Sequence, residues 1–301
     1  MNDIYLLQRI ISKKRYQVCI DLFLSLKREK YVVIKGEPLS FLAYRKFGER
    51  HSADIDILLP KKSLHRIESI LENNMFVNNN ASRRDRVLMI SSSHQVQPWS
   101  KDIAIIGDVT IDLNFDIFWG EYTGKRIDIE QFLSDAIEME IYGVKVKTLP
   151  PLKAMVQLIL HHYKDMNSLF LLATTKSINH EMFKDVYSLL KNNFEDISLD
   201  KLHEISAEYE IIPYVYYVLY HTGQLYNDEI LQQYIAAFKT PEGETLLNCY
   251  GLNESERREW RVDFKTRLES ENLYDLIKDD LTERDKEKIA INRRVFLGGA
   301  E

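Results

Sequence analysis

The chain has 301 residues, 45% of them hydrophobic and 29% charged, a composition typical of a globular protein with a sizeable core and room for two domains. Its formal net charge of −6 gives no overall basic field, which argues against a long nucleic acid as partner without excluding a local basic patch. The two cysteines lack CxxC spacing, no signal-peptide pattern opens the chain, and no apolar run approaches the ~20 residues of a membrane span. These features predict a reduced, cytoplasmic protein with no membrane contact.

The first 30 residues predict one or two amphipathic helices that pack on the core. Apolar residues recur there at helical spacing in two stripes, with a basic cluster at residues 13–16 between them. The cluster could touch phosphate, but a solvated helix face is the commoner role of such a charge run.

The next 30 residues are the stretch around which the rest of the chain is arranged. A short apolar run directly before Lys35-Gly36 predicts a buried strand, and Pro38 suits the first turn of the helix that follows. Gly48 is the predicted end of that helix. A second strand is predicted at residues 54–59.

Aspartates alternate with apolar residues along this second strand. Side chains of a strand point alternately to opposite faces, so Asp54 and Asp56 share one face of the sheet. Two neighbouring carboxylates repel each other unless a cation lies between them, and a divalent metal ion is the usual solution.

A later strand, predicted at residues 109–119, offers a third carboxylate. Its clean alternation places Asp112 and Asp116 on one polar face. Because these two would lie about 13 Å apart at ~3.3 Å per residue, only one can join the first pair. Asp112 is the better candidate, since it lies within the most regular part of the pattern.

The remaining patterns predict an α+β protein. Residues 78–86 predict a turn or loop, residues 87–90 a β-prone run, residues 103–106 a strand, and residues 127–150 a helix followed by a strand. Pro150-Pro151 is the predicted domain boundary, with a mixed core domain at 31–150 and an all-helical domain at 151–301. Pro213 is expected to break one of the later helices.

The order of these motifs resembles that of the DNA polymerase β-like (MNT-type) nucleotidyltransferase superfamily. Within it, the chain is similar to a family of uncharacterised bacterial nucleotidyltransferases over roughly residues 30–220. The resemblance is carried by Lys35-Gly36, Arg50, Asp54-Ile55-Asp56 and Asp112-Leu113-Asn114-Phe115. The chain departs from the family at Asn114 and Phe115, where a His-Trp-like pair is usual, and Glu37 places a negative charge near the helix start.

The resemblance implies a small mixed sheet flanked by helices, followed by a helical domain, and a Mg²⁺-dependent transfer of an NMP group. The donor would be an NTP such as ATP, and the acceptor a hydroxyl or phosphate on a small molecule, sugar or peptide. Asp54, Asp56 and Asp112 would be the catalytic residues and would hold two Mg²⁺ ions, because hard cations prefer carboxylate oxygens. Lys35, Gly36 and Arg50 would bind the nucleotide, with the helix N-terminus directed at the triphosphate.

Other functions stay open at this stage. The chain could be a protein-AMPylating enzyme of the toxin–antitoxin type, or a degenerate nucleotide-binding module that acts by complex formation. The three aspartates could form the solvated face of an edge strand, and Lys35 and Arg50 could be surface charges. His161 and His162 could stabilise a helix end or belong to the active site.

Overall fold

A mixed seven-stranded sheet forms the centre of the N-terminal half of the protein. The structure is a computed structural model that describes residues 2–50, 52–78, 82–104, 106–175 and 177–297. The strands are β1 (Val32–Ile34), β2 (Asp54–Leu58), β3 (Val77–Asn78), β4 (Trp99–Ile103), β5 (Gly107–Asn114), β6 (Ile137–Ile141) and β7 (Val144–Thr148), in the spatial order β3-β4-β5-β2-β1-β7-β6. β2 is parallel to β5 and β1 is parallel to β7, whereas the other neighbouring pairs are antiparallel. The α+β class is thus confirmed.

Helices precede, interrupt and follow the sheet. They are α1 (Asn2–Val18), α2 (Ile20–Leu26), α3 (Gly36–Tyr44), α4 (Leu64–Asn73), α5 (Arg83–Ser92), α6 (Ile129–Phe132), α7 (Pro151–Asn167), α8 (Leu169–Thr174), α9 (Glu181–Asn192), α10 (Leu199–Glu208), α11 (Ile212–Gly223), α12 (Glu229–Phe238), α13 (Pro241–Leu247), α14 (Phe264–Glu269), α15 (Leu273–Ile277) and α16 (Glu283–Leu297). Within the described ranges, none of these helices has both the length and the apolar character needed to cross a membrane. Pro213 lies in the first turn of α11, so the expected break is confirmed.

The chain forms two compact units. Unit 1 contains residues 1–120, 127–155 and 188–197, and unit 2 contains residues 121–126, 156–187 and 198–301. In the part of unit 2 that the structure describes, the helices are accompanied by a two-stranded antiparallel ribbon, β8 (Cys249–Tyr250) and β9 (Arg258–Glu259). The prediction that the region after residue 150 is all-helical is therefore wrong at this ribbon.

The core of unit 1 lies on one face of the sheet, beneath α2 and α4. Leu26 of α2, Ile67 of α4, and Ile57 and Ile111 of the sheet belong to one apolar cluster and are fully buried. Burial of such side chains contributes about 1.5–3 kcal/mol each. This packing holds β2 and β5 in place and leaves their other face to the aspartates.

The C-terminal end of α3 is held by the last residue of α9 and the residue that follows it. The last carbonyls of a helix lack intrahelical partners and need donors from elsewhere. Asn193 Nδ2 donates to Leu42 O at 2.9 Å, and Asn192 Nδ2 donates to Ala43 O at 2.6 Å. Two adjacent amides thus fix the position of α3 and explain why residues 188–197 belong to unit 1.

The predicted strand–helix–strand segment is confirmed as β1, α3 and β2. The end of the helix differs, because α3 stops at Tyr44 rather than near Gly48. Arg45 takes a left-handed conformation (φ 55°), and its N–H donates to Phe41 O. A left-handed residue directly after the last turn is a common way to end a helix.

Other predictions in unit 1 are wrong. Residues 87–90 lie in α5, because Ser82 caps that helix by accepting the Asp85 N–H at 3.1 Å. The strand predicted at residues 109–119 ends at Asn114. Beyond it, Asp116 Oδ1 accepts the Phe118 N–H at 3.0 Å, which bends the chain into a turn.

Residues 127–150 contain a hairpin where a helix followed by one strand was predicted. The helix is reduced to the single turn of α6, and β6 and β7 pair antiparallel after it. Tyr142 and Gly143 join the two strands and both have positive φ, 52° and 85°. Positive φ at both central residues is what the common two-residue hairpin turn requires.

Gly120 is predicted to be essential for the stability of unit 1. A Cβ at this position would lie 1.7 Å from the carbonyl oxygen of Ser92, a backbone atom that cannot move aside. Gly120→Ala should therefore lower the free energy of unfolding by about 1–3 kcal/mol or more. Gly107→Asn is the control, because nothing lies within 4 Å of that position and asparagine tolerates its positive φ. Equal melting temperatures of the two variants would contradict the close approach of Gly120 to the Ser92 carbonyl group.

Candidate functional site

The parallel register of β2 and β5 brings three aspartates to one face of the sheet. Asp56 pairs with Asp112 and Asp54 pairs with Thr110 across the two strands. Paired residues of neighbouring strands lie ~4.8 Å apart and share a face, so Asp54, Asp56 and Asp112 form one cluster. Asp56 is buried, and the other two are half-buried.

Lys35 is the cation of this cluster. β1 lies antiparallel to β2 with Ile34 opposite Asp56, so the next residue, Lys35, begins at the edge of the cluster. Its Nζ lies 3.0 Å from Asp56 Oδ1, and both side chains are largely buried. One lysine against three carboxylates leaves the cluster with excess negative charge.

The backbone at Lys35-Gly36 has an unusual conformation. Lys35 has φ 56° and ψ −150°, a region almost restricted to glycine, and Gly36 has φ 46°. Such a conformation in a non-glycine residue costs of order 1–3 kcal/mol and persists only where surrounding contacts hold it. At Gly36 the positive φ is the constraint, since an added Cβ would come no closer than 3.5 Å to Ser52 Oγ. The strained turn joins β1 directly to α3 at the residue whose side chain bonds Asp56.

Asp54 is positioned by Ser52 and, through it, by Arg15. Ser52 Oγ lies 2.9 Å from Asp54 O and 3.0 Å from Asp54 Oδ1, and donates to them. Arg15 Nη1 on α1 donates to Ser52 O at 2.7 Å, and the whole side chain is buried. The sequence assigned Arg15 to a solvated cluster; its burial depends on a contact 37 residues away, which helical periodicity does not show.

Asn114, for which no role at the site was predicted, also lies beside the cluster. It is buried, and its Nδ2 makes a long contact of 3.4 Å to Asp56 Oδ1. In the resemblance described above, this position carries a histidine. Asparagine preserves a hydrogen-bond donor to the central aspartate but cannot titrate near neutral pH.

A β-bulge lies directly beside Asp112. Trp99 pairs with Ile111, whereas Gln95 forms an isolated bridge with Asn114. Three residues, 96–98, thus face two residues, 112–113, and one extra residue on one strand is the definition of a bulge. Because Gln95 is paired with Asn114, it lies on the face of the aspartates.

Glu37 is occupied by structural contacts. It is buried, and its carboxylate accepts hydrogen bonds from Ser12 Oγ, from Gly48 N at 2.8 Å and from Tyr142 OH at 3.1 Å. Glu37 therefore ties α1, the segment after α3 and the β6–β7 turn together.

Arg50 and Asp116 lie beyond the ends of the two strands that carry the cluster. Arg50 is half-buried in the segment between α3 and β2, where it lines a cavity of about 40 Å³ together with Arg15 and Ser52. Asp116 follows the end of β5 and is used by the turn at Phe118. The expectation that Asp112 and Asp116 share one strand is therefore wrong.

His161, His162 and Asp165 form a separate group on α7, in unit 2. One potential ligand atom from each lies within 4.8 Å of the others, and His161 Nε2 is 3.2 Å from Asp165 Oδ2. Such a group of three could hold a metal ion, although exposed acidic groups are also common without one. Both histidines lie inside the helix and precede its end at Asn167.

The pKa of Asp112 is raised to about 7. Burial is the largest cause, followed by the charges of Asp56 and Asp54, and the Lys35 charge offsets only part of this. Without another cation, Asp112 therefore still carries its proton in part near neutral pH. A bound divalent ion would favour the ionised form of Asp112 and so oppose this shift.

Asp112 should make the metal-free protein less stable as the pH rises from about 4 to 7. In that window the carboxyl group ionises in the unfolded chain but stays protonated in the folded one, so folding becomes less favourable. Asp112→Asn should therefore raise the melting temperature in EDTA at pH 8, and the gain should vanish near pH 4. Melting curves of the variant and of the wild type across this range measure the difference.

Asp116→Asn is the matched control, because asparagine keeps the oxygen that accepts the Phe118 N–H. Its melting temperature should follow that of the wild type at every pH. A gain in the melting temperature of Asp112→Asn that did not depend on pH would contradict the raised pKa of Asp112.

Comparison with known proteins agrees with the family expected from the motifs. Residues 9–227 match the family described as "Uncharacterised nucleotidyltransferase", a range that includes all three aspartates. No curated protein matches the sequence. Among solved structures, an antigenic nucleotidyltransferase-like protein from Paracoccidioides brasiliensis is similar at 12% identity and a TM-score of 0.34, over 69% of this chain and 89% of that chain. A TM-score this low does not support a detailed comparison. On the family match, which spans more than half of its length, the chain belongs to the uncharacterised nucleotidyltransferase family.

Proposed function

We propose that the protein is a Mg²⁺-dependent nucleotidyltransferase with a polymerase β-like core, which moves an NMP group from an NTP to an acceptor hydroxyl or phosphate. The observation that carries the proposal is the cluster of Asp54, Asp56 and Asp112 on adjacent parallel strands, beside the start of α3. Membership of a nucleotidyltransferase family supports it.

The donor set fits magnesium. Three carboxylates supply the hard oxygen ligands that Mg²⁺ prefers. The pKa of Asp112 is raised first by burial and then by the charges of Asp56 and Asp54, and a divalent cation bound to the cluster would oppose this shift. When bound, two Mg²⁺ ions would neutralise charge on the attacking oxygen and on the leaving pyrophosphate.

The residues at the start of α3 are proposed to bind the triphosphate. The first amides of the helix, beginning at Gly36, offer donors and the positive end of the helix dipole. Lys35 is held beside them by Asp56 and can contact a phosphate oxygen from there. Arg50 is proposed as a further phosphate contact.

The acceptor is proposed to be a small molecule, a sugar or a peptide. The net charge of −6 argues against a long nucleic acid. A protein side chain as acceptor would make the enzyme an AMPylating one, which the same cluster could serve. The cytoplasmic location and the domain bounds 1–30, 31–150 and 151–301 likewise stay predictions.

Substitution of the aspartates tests the proposal directly. Asp56→Asn should abolish transfer of labelled NMP, because the central ligand of the cluster loses its charge. Asp112→Ala should keep the Mg²⁺-NTP dissociation constant within about tenfold, a cost of ~1.4 kcal/mol, but lose nearly all transfer. Calorimetry gives the dissociation constants, and label transfer to cell-extract fractions gives the activity.

Asp116→Ala is the control for these variants, since Asp116 is outside the cluster, and it should lose little activity. If Asp112→Ala transferred label at the wild-type rate, the metal assignment would be wrong. NTP binding that needs no metal would favour the non-catalytic nucleotide-binding module instead.

Magnesium affinity should depend on pH. Because the pKa of Asp112 is about 7, metal binding must release a proton below that pH. The Mg²⁺ dissociation constant should rise up to tenfold per pH unit as the pH falls from 7 to 6. Asp112→Asn should remove most of this dependence, and titration calorimetry in two buffers would detect the released proton.

A further inference from the structure

Helix α7 carries a short polar stripe in unit 2, on a helix that is otherwise buried. Every residue from 154 to 160 is buried, and so are the remaining residues up to Asn167 apart from three. His161, Lys164 and Asp165 are half-buried and form the accessible stripe in this half of the helix. Charged groups that are largely removed from water are usually paired with one another or coordinate a metal ion.

The stripe and the buried His162 beside it bring three potential metal ligands together. One ligand atom each from His161, His162 and Asp165 lies within 4.8 Å of the other two, and the pair His161 Nε2 and Asp165 Oδ2 is already at 3.2 Å. Atoms bound to one tetrahedral Zn²⁺ at ~2.1 Å lie roughly 3.4 Å apart. The widest separation therefore has to close by no more than about 1.4 Å, which a side-chain rotation can supply.

The spacing along the helix suits chelation of an ion. Residues four apart are neighbours on one helix face, and two ligands at this spacing are a common way for a helix to hold zinc. His161 and Asp165 have this spacing. His162 adds a ligand from the interior, with its ring centroid 5.7 Å from that of His161. The half-buried pair leaves the outer side accessible, so a fourth position stays open for water or another ligand.

Lys164 is the cation that a bound metal ion has to tolerate. Its Nζ lies 3.6 Å from Asp165 Oδ1, whereas His161 contacts the other oxygen, Oδ2. The two oxygens of the carboxylate thus have separate partners. A metal ion on Oδ2 leaves the lysine on Oδ1, so the lysine weakens the attraction for the ion without blocking the position.

The donor atoms decide which metal fits. Two imidazole nitrogens and one carboxylate oxygen suit Zn²⁺, whereas Mg²⁺ prefers oxygen ligands throughout. The cluster of Asp54, Asp56 and Asp112 offers only oxygen atoms. The two groups of side chains should therefore select different ions.

We propose that His161, His162 and Asp165 bind one Zn²⁺ ion and leave its fourth position open. The site uses none of the three aspartates of the sheet, and the proposal does not depend on nucleotidyl transfer.

The test is calorimetric titration of Zn²⁺ into the full chain, prepared without a histidine tag and freed of metal with EDTA that is then removed. Each protein carries Asp56→Asn, so that zinc binding at the aspartate cluster is suppressed. We expect one Zn²⁺ per chain with a dissociation constant in the micromolar range or below, and no displacement by a large excess of Mg²⁺. The absence of binding, or displacement by Mg²⁺, would overturn the proposal.

Substitutions at the accessible positions locate the ion. His161→Gln and Asp165→Asn each remove a ligand and should weaken Zn²⁺ binding at least tenfold. Lys164→Gln removes a competing cation, so it should bind Zn²⁺ at least as tightly. The matched control is His203→Gln, because His203 is also half-buried in unit 2 but is not part of the group. Wild-type affinity in both ligand variants would refute the site.

His162 is tested without a substitution in the interior, where a variant would be at risk of misfolding. X-ray absorption at the zinc edge, measured on the chain with all three ligands intact, should show two imidazole groups bound to the ion. Fewer than two imidazole groups would contradict the proposed ligand set.

Discussion

Repulsion among three carboxylates is the constraint that the rest of unit 1 must overcome. Asp54, Asp56 and Asp112 do not attract one another; the parallel register of β2 and β5 holds them together. That register depends on the apolar face beneath, where the alternate residues of both strands are buried under α2 and α4. The stability of the core thus maintains an arrangement of charges that would otherwise separate. The pKa of Asp112 stays raised, because the residue is buried and the charges of Asp56 and Asp54 are only partly offset by Lys35.

A second set of buried charges braces the first. Glu37 and Arg15 both connect α1 to the segment between α3 and β2, one through Gly48 and the other through Ser52. Ser52 in turn holds Asp54. The N-terminal helix therefore acts as a support for the aspartate cluster, and the residues that do so are paired inside the protein rather than exposed. Such second-layer contacts commonly orient the ligands of a metal site.

Much of this arrangement could be predicted from the sequence because its signals are local. The apolar run before Lys35, Pro38 and the alternation around Asp54 and Asp56 identified β1, α3 and β2. Because side chains alternate along a strand, Asp54 and Asp56 could then be placed on one face. The failures arose at turns whose residues are weak sequence signals, and where a distant contact decides the burial of a side chain. The end of β5 depends on the turn at Asp116, and the burial of Arg15 depends on Ser52. The β6–β7 hairpin depends on a Tyr142-Gly143 turn whose first residue is not a typical turn former.

The bulge at residues 96–98 has a consequence for both faces of the sheet. In a regular strand, Gln95, Gln97 and Trp99 would all point the same way, because side chains alternate with a period of two. With one extra residue inserted, Gln95 lies on the side of Asn114, whereas Gln97 and Trp99 line a groove beside α4, on the opposite face of the sheet. A single strand thereby supplies side chains to two separate surfaces. Deletion of one of residues 96–98 would leave two residues to face residues 112–113, so the bulge would be lost while Gln95 stayed opposite Asn114.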